Sequence, residues 1–265
     1  MKKTTKILMS TLCVTAVLGS MAVLGGCGNK KDSVTVSGSS SVTPIMEKLA
    51  AEYEKSHDVR ITINMSSSGE GISDAQNGLN DFGMSSRELT AKDTGVKGET
   101  LCRDGIALIV NNACTVENVS KNDVKALFES GTAIPDTSVT AAIGRKDGSG
   151  TRKAFDELLK IESYHKSVAT QDETGNVIEV IQNATNSLGY ISYGSLSSSV
   201  KAVSLDGVAC TVENILNDSY ALQRPFVIVL KENATLSEAA QGFYDYIFSD
   251  EAQTVITGAN YISVK

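Results

Sequence analysis

Arg145-Lys146-Asp147-Gly148-Ser149-Gly150-Thr151 is the stretch whose reading decides the fold. Residues 139–143 before it alternate as a strand does, and Ala154, Phe155, Leu158 and Leu159 after it recur at helical spacing. A Gly-Ser-Gly-Thr turn between strand and helix turns several backbone N–H groups outward at the positive end of the helix dipole. Gly148 and Gly150 let the backbone approach a bound group closely, and Ser149 and Thr151 add hydroxyl donors. Arg145 supplies a planar, permanently charged fork that matches an oxyanion. The pattern predicts an anion site, with phosphate the expected anion.

The same grammar recurs outward along the chain. A short strand at 34–36 runs into Ser37-Gly38-Ser39-Ser40-Ser41-Val42-Thr43-Pro44, then into a helix marked by Ile45, Met46, Leu49, Ala50 and Tyr53. Pro44 suits its first turn, and Ser41 or Thr43 could cap it. A second strand, 59–64, leads into Ser66-Ser67-Ser68-Gly69-Glu70-Gly71 and a short helix to about Gly78. Residues 81–87 read as a short buried strand ending in polar residues. In open α/β sheets a ligand sits outside the carboxyl ends of the strands, where such turns lie.

Two fully apolar strands are expected at 105–111 and 225–230, the first buried on both faces in the manner of a parallel sheet. Helices follow at the 120s, the 150s, 176–184, 239–248 and 251–257, with strands at 189–192 and 200–205. The apolar strands bracket a middle block of about 115 residues, within the usual domain range. The expected fold is α/β and two-lobed, each lobe a mostly parallel sheet flanked by helices, joined by two hinge crossings. One lobe would comprise 34–109 plus 226–265 and the other 110–225, with the site in the cleft between them.

With 265 residues, 41% hydrophobic, and a mean hydropathy of −0.05, the chain is globular with a real core. Residues 1–26 read as an export signal: Lys2, Lys3 and Lys6 precede a mostly apolar run interrupted by Ser10, Thr11, Thr15 and Ser20. The ending Leu24-Gly25-Gly26-Cys27 resembles the bacterial lipoprotein box, which makes Cys27 the expected lipidation site and 27–33 a tether. Removing 1–26 deletes three of 24 Lys+Arg and none of 31 Asp+Glu, so the remaining charge is 21 − 31 = −10. That balance argues against nucleic acid. It also means that an anion must be held by local dipoles and one or two arginines. Cys102, Cys114 and Cys210 remain, an odd number without metal spacing, so scattered core thiols are expected and one disulfide is possible. The hexapeptide Ala-Cys-Thr-Val-Glu-Asn occurs at both 113–118 and 209–214, with nothing around it repeating.

These residues resemble the periplasmic or lipid-anchored phosphate-binding proteins of bacterial phosphate ABC importers, which have the type 2 periplasmic-binding-protein fold. The resemblance runs from Val34 to Lys265 and is most specific at Arg145-x-x-Gly-Ser-Gly-Thr151. It is supported at 37–44, 67–71, 81–87, 189–192 and the closing Tyr-Ile-Ser-Val-Lys. It implies phosphate held between the lobes by Arg145, Ser149, the Gly150 N–H and Thr151. From the first lobe come Ser40 and the Ser41 N–H, with Ser39, and Ser68, with Ser67 as the register alternative. Asp147 stands where a family acid pairs with the arginine and orients its fork. Many members carry an Asp where this chain has Ser86, followed here by Arg87. A carboxylate there rejects sulfate, which has no proton to donate, whereas a hydroxyl tolerates both anions. Arg87 reads either as a second cationic ligand or as a surface partner of Glu88. The resemblance implies no cofactor or metal, a monomer, and as partners inorganic phosphate, ABC permease subunits and the membrane through the anchor.

Three rival readings compete with this one. Ser163-x-x-Lys166 matches a serine-hydrolase pattern whose companion motifs are missing, and His57 and His165 sit in polar loops. The same fold could serve sulfate or molybdate. A surface adhesin or signalling lipoprotein could retain the fold without transport.

Overall fold

The computed structural model describes residues 32–265. The export signal, Cys27 and most of the tether lie outside the described residues. Strand β1 (Asp32–Ser39) takes in the last two residues expected for the tether.

The first half alternates strand and helix: β1, α1 (Thr43–Tyr53), β2 (Val59–Ser66), α2 (Ser68–Asn77) and β3 (Phe82–Ser85). Helix α2 starts in a capping box, the Ser67 hydroxyl accepting from the Glu70 amide while Glu70 accepts from the Ser67 amide. It ends at Gly78 in the left-handed conformation, φ 69°. Helix α1 carries Pro44 in its first turn, but its N-cap is Val42 and no side chain caps it. Ser41 and Thr43, expected as caps, are used elsewhere: the Ser41 hydroxyl faces the other lobe, and Thr43 donates to the Ser39 carbonyl.

Strand β4 (Val96–Val110) is much longer than the apolar run predicted, because its first half is polar and half-exposed. Then come β5 (Asn118–Val119), α3 (Lys121–Ser130), β6 (Ala141–Arg145), α4 (Gly150–Leu159), β7 (Ala169–Gln171), α5 (Thr174–Asn183), β8 (Ser187–Ser192) and β9 (Lys201–Leu205). The chain closes with α6 (Val212–Leu216), β10 (Gln223–Lys231), α7 (Glu238–Ile247) and α8 (Asp250–Gly258). The two copies of the hexapeptide end differently, one in β5 and one in α6, so they are no structural repeat.

Strand order is β2-β1-β3-β10-β4-β8-β6-β7, with β9 paired to β4 and β5. The sheets are mixed, parallel within each lobe as expected and antiparallel through the centre. β1 is parallel to β2 and β3, and β6 to β7 and β8. The central strands are antiparallel: β10 to β3 and β4, and β4 to β8 and β9. Both apolar runs are buried because they lie mid-sheet, not because their pairing is parallel.

Two cores flank this centre, which makes the molecule two-lobed. One gathers Val34, Val36, Leu49, Phe82, Phe226 and Phe243. The other gathers Leu108, Phe128, Phe155, Val177, Tyr190 and Leu222. Burying each such side chain contributes about 1.5–3 kcal/mol. Strand β4 supplies Leu101 and Cys102 to the first core and Ile106–Val110 to the second, so it passes from lobe to lobe near Arg103–Gly105. There it lies against Gln223–Pro225 of β10. Cys102, Cys114 and Cys210 are free and buried, without the possible disulfide.

Candidate functional site

In each lobe, strands running parallel release their helices at the same edge. The N-termini of α1 and α2 in one lobe thus face those of α4 and α5 in the other. Each presents a positive dipole end and first-turn N–H groups that no carbonyl of its own helix accepts. Gly69 donates its amide across the divide to the Gly148 carbonyl at 3.0 Å.

Arg145 ends β6 with only 2% of its surface exposed. Its Nη2 donates to the Asp172 carbonyl at 2.6 Å and to Ser40 Oγ of the opposite lobe at 3.1 Å. Nη1 donates to Thr174 Oγ1 at 3.2 Å and Nε to the Gln171 carbonyl at 3.3 Å. Its backbone N–H donates to Tyr190 Oη at 3.1 Å, and the Tyr190 ring stacks on Phe155 with centroids 3.9 Å apart. The site arginine is therefore anchored on the core of its lobe. Burial pulls its guanidinium down to about 10, with the positive charge of Arg224 adding to the fall and Tyr190, Glu173 and Asp172 opposing it. It stays charged at neutral pH.

Around this fork lies a chain of buried hydroxyls. Ser41 Oγ is 2.9 Å from Thr151 Oγ1 and 3.0 Å from Thr174 Oγ1. Thr151 Oγ1 is 3.5 Å from Ser86 Oγ, which is 3.2 Å from Ser68 Oγ. The Ser86 amide donates to Ser68 Oγ at 3.0 Å. Hydroxyls rotate, so such a cluster can turn its protons onto an oxyanion without moving the backbone. Gly150 lets the lobes close on it: a Cβ there would lie 2.3 Å from Ser68 Oγ and 2.8 Å from Ser68 Cβ.

Ser40, Ser41, Ser68, Ser86, Arg145, Gly150 and Thr151 are thus brought together. Ser67 and Ser149 are instead N-caps, accepting from the Glu70 and Arg152 amides, and both line the cleft mouth. Ser39 Oγ accepts from the Ser41 N–H at 3.3 Å, so the amide expected to face the anion is spent inside its own turn. Asp147 corrects the sequence reading outright. Its side chain is 96% exposed and pairs with Arg152 at 2.9 Å, and Arg145 is oriented by main-chain carbonyls instead. Arg87 pairs with Asp93 at 2.8 Å and donates to the Glu88 carbonyl, so it is a structural partner and not a ligand. That pairing holds the Asp93 carboxyl down at about 2. His57 and His165 bond the adjacent Ser56 and Ser167, and Ser163 is exposed.

Two residues escaped the sequence reading. Thr174 opens α5 beside Gly175, the same hydroxyl-then-glycine pattern as the other turns, but β7 before it is three residues long and gave no strand signal. Arg224 stands just before the apolar strand expected at 225–230 and carried no motif. It is buried beside the cleft, pairs with Asp104 at 3.2 Å and donates to the Ser86 carbonyl at 3.1 Å.

The mouth is a cleft of about 580 Å³ between Met65, Ser67 and Glu70 on one side and Lys146, Gly148 and Ser149 on the other. Its rim carries Glu70, Asp147, Asp172 and Glu173 against Lys146, itself paired with Asp172 at 2.7 Å. Attraction for an anion must therefore come from the buried donors.

A family profile described as a PBP superfamily domain matches residues 27–251. The phosphate-binding protein PstS 2 of Streptococcus pneumoniae is 40% identical over 132 residues, 46% of this chain and 45% of that protein. The aligned part thus spans about half the length of these curated relatives. PstS of Staphylococcus epidermidis is 27% identical over 290 residues, covering 94% of this chain and 87% of its own. Among solved structures, a Clostridium perfringens protein provisionally identified as a phosphate ABC transporter substrate-binding protein, with phosphate bound, is 36% identical. It superposes with a TM-score of 0.84 over 88% of this chain and 100% of its own. An ABC-type phosphate transport receptor from Vibrio cholerae is 28% identical with a TM-score of 0.71, over 88% and 100%.

Proposed function

The chain belongs to the PBP superfamily, and from that membership and the donor geometry we propose that it captures inorganic phosphate between its lobes and delivers it to an ABC importer. The observation that carries this reading is the convergence of one buried guanidinium, six buried hydroxyls and four helix N-termini on one point between the lobes.

In this reading Arg145 neutralises most of the anion's charge, and Ser40, Ser41, Ser68, Ser86, Thr151 and Thr174 donate from both lobes. The Gly150 amide donates from the head of α4, while Ser39, Ser67 and Ser149 hold the turns in shape. A charge-assisted hydrogen bond contributes about 1.5–3 kcal/mol net. Micromolar binding needs about 8 kcal/mol, so six such bonds reach it even after the anion is dehydrated. The site binds without turnover.

The lobe bounds expected at 109/110 and 225/226 shift to the strand crossing, because Ile106–Val110 lie in the second core, and the lobes proposed are 34–104 with 225–265, and 105–224. The chain would work outside the cytoplasm as a monomer, held to the outer face of the membrane by lipid on Cys27. Isothermal calorimetry with phosphate and sulfate on the chain from Asn29 onward tests the reading: micromolar or tighter phosphate binding supports it, and silence toward phosphate sinks it. Ser86 in place of a carboxylate favours a second outcome, in which sulfate competes measurably.

A further inference from the structure

Arg224 has no direct place in the hydroxyl cluster, yet it is bonded to one of the cluster's residues. It sits on β10 directly opposite Asp104 on β4, where β4 passes from one core to the other. Both side chains are buried, 2% and 0% exposed. One arm of the guanidinium, Nη2, donates to Asp104 Oδ2 at 3.2 Å, and the other, Nη1, donates to the Ser86 carbonyl at 3.1 Å. The second carboxylate oxygen, Oδ1, accepts from Ser192 Oγ at 2.9 Å and from the Gly194 amide at 3.4 Å. A continuous line of bonds therefore runs from Ser86 through Arg224 and Asp104 to the end of β8. It starts at the cleft wall of one lobe, passes through the crossing strands and ends in the other lobe.

We propose that Arg224 is a positioning residue for the anion cleft, fixing Ser86 from behind and tying it to the strand crossing through Asp104. The proposal rests on the phosphate reading above. A buried peptide carbonyl needs a donor, and the rigid planar fork of an arginine can satisfy a carbonyl and a carboxylate at once, which a lysine's point charge cannot. Holding the Ser86 peptide also sets Ser68, because the Ser86 amide donates to Ser68 Oγ. The hydroxyl pair from this lobe thus owes its placement to one guanidinium on a strand shared by both lobes. The partnering carboxylate keeps the pair neutral, so Arg224 acts by placement more than by its field.

The test is a binding cycle on the purified chain with phosphate as the probe: wild type, Arg224→Lys, Ser68→Ala/Ser86→Ala and all three changes combined, each with its thermal midpoint. Arg224→Lys should weaken phosphate about 10-fold in the wild-type background and under about 3-fold once both hydroxyls it places are gone, in the Ser68→Ala/Ser86→Ala background, because residues that act through one another are not additive. Arg103→Lys, on the same crossing but in an exposed pair with Asp218, should leave affinity unchanged. A merely structural arginine would lower the midpoint while the two losses multiplied independently, and that result overturns the proposal. So does an Arg224→Lys affinity within about 2-fold of wild type. If Arg224→Lys does not fold, Asp104→Asn, which frees one arm of Arg224 but leaves an acceptor for Ser192, takes its place in the cycle with the same criteria. If wild type binds sulfate and not phosphate, the phosphate reading falls and the same cycle with sulfate decides Arg224. Binding of neither anion overturns both.

Discussion

The amide of Gly69 meets the carbonyl of Gly148 at 3.0 Å, joining the turn that heads α2 to the turn that heads α4 with main chain alone. Gly148 adopts φ +85°, a conformation that L side chains rarely take. The two lobes therefore approach until backbone touches backbone. That closeness makes the serine-rich and glycine-rich turns act as one site.

Gly150→Ala tests the closeness. Ser68 Oγ could swing away from the new methyl, but Ser68 Cβ, 2.8 Å from it, could not. The lobes would be wedged apart while each core stayed intact. Calorimetry should show phosphate affinity reduced about 10-fold or more, an energy of about 1.4 kcal/mol, with a thermal midpoint close to wild type.

Arg145→Lys keeps the charge and loses the fork. Two charge-assisted bonds lost at about 1.5–3 kcal/mol each predict at least about a 100-fold loss of affinity. Asp147→Ala, with its side chain in solvent and paired only to Arg152, should leave affinity unchanged. A large loss in Asp147→Ala would show that the acid orients the fork after all.

Thr174→Val removes the one hydroxyl that touches Arg145, Ser40 and Ser41. The shape is kept and a donor is lost, so affinity should fall by about 1–2 kcal/mol, and Thr174→Ser should restore most of it.

Ser86→Asp places a fixed acceptor beside Ser68 and Thr151. Sulfate carries no proton to give it, so sulfate competition should drop at least about 10-fold relative to phosphate. Competition calorimetry of wild type and variant with both anions measures this. Unchanged sulfate competition would mean that residue 86 does not face the ligand.

Arg87→Ala probes acid stability instead of binding. The Arg87 hydrogen bond is the largest cause holding Asp93 at about 2 in the folded chain, against 3.8 for the unperturbed group. Because the folded value is depressed, the pair stabilises the protein above pH 3.8, and this is lost as pH falls toward 2. The variant should lose stability at neutral pH and show a flatter decline across that acid window, with phosphate affinity unchanged.

The strand–turn–helix junctions around residues 40, 68 and 150 were readable because each is local: periodicity marks the strand and helix, and hydroxyls with glycine mark the turn. For the same reason Arg145 stood out, as the arginine that leads from its strand into such a turn. The role given to Asp147 was local too, and it failed. A carboxylate two residues along a chain can point anywhere, and here it points to Arg152, one turn into α4.

What the sequence determined by itself was therefore the set of short-range devices: which segments form strands and helices, where their N-termini lie, and which side chains those ends display. Tertiary structure alone decided that β4 and β10 run antiparallel through the centre, that Thr174 completes the fork's surroundings, and that Arg224 reaches Ser86. Each of those facts joins residues from 29 to 138 positions apart. Strand register and buried pairing over such distances are set by how the two cores pack, and no periodicity in the chain encodes them.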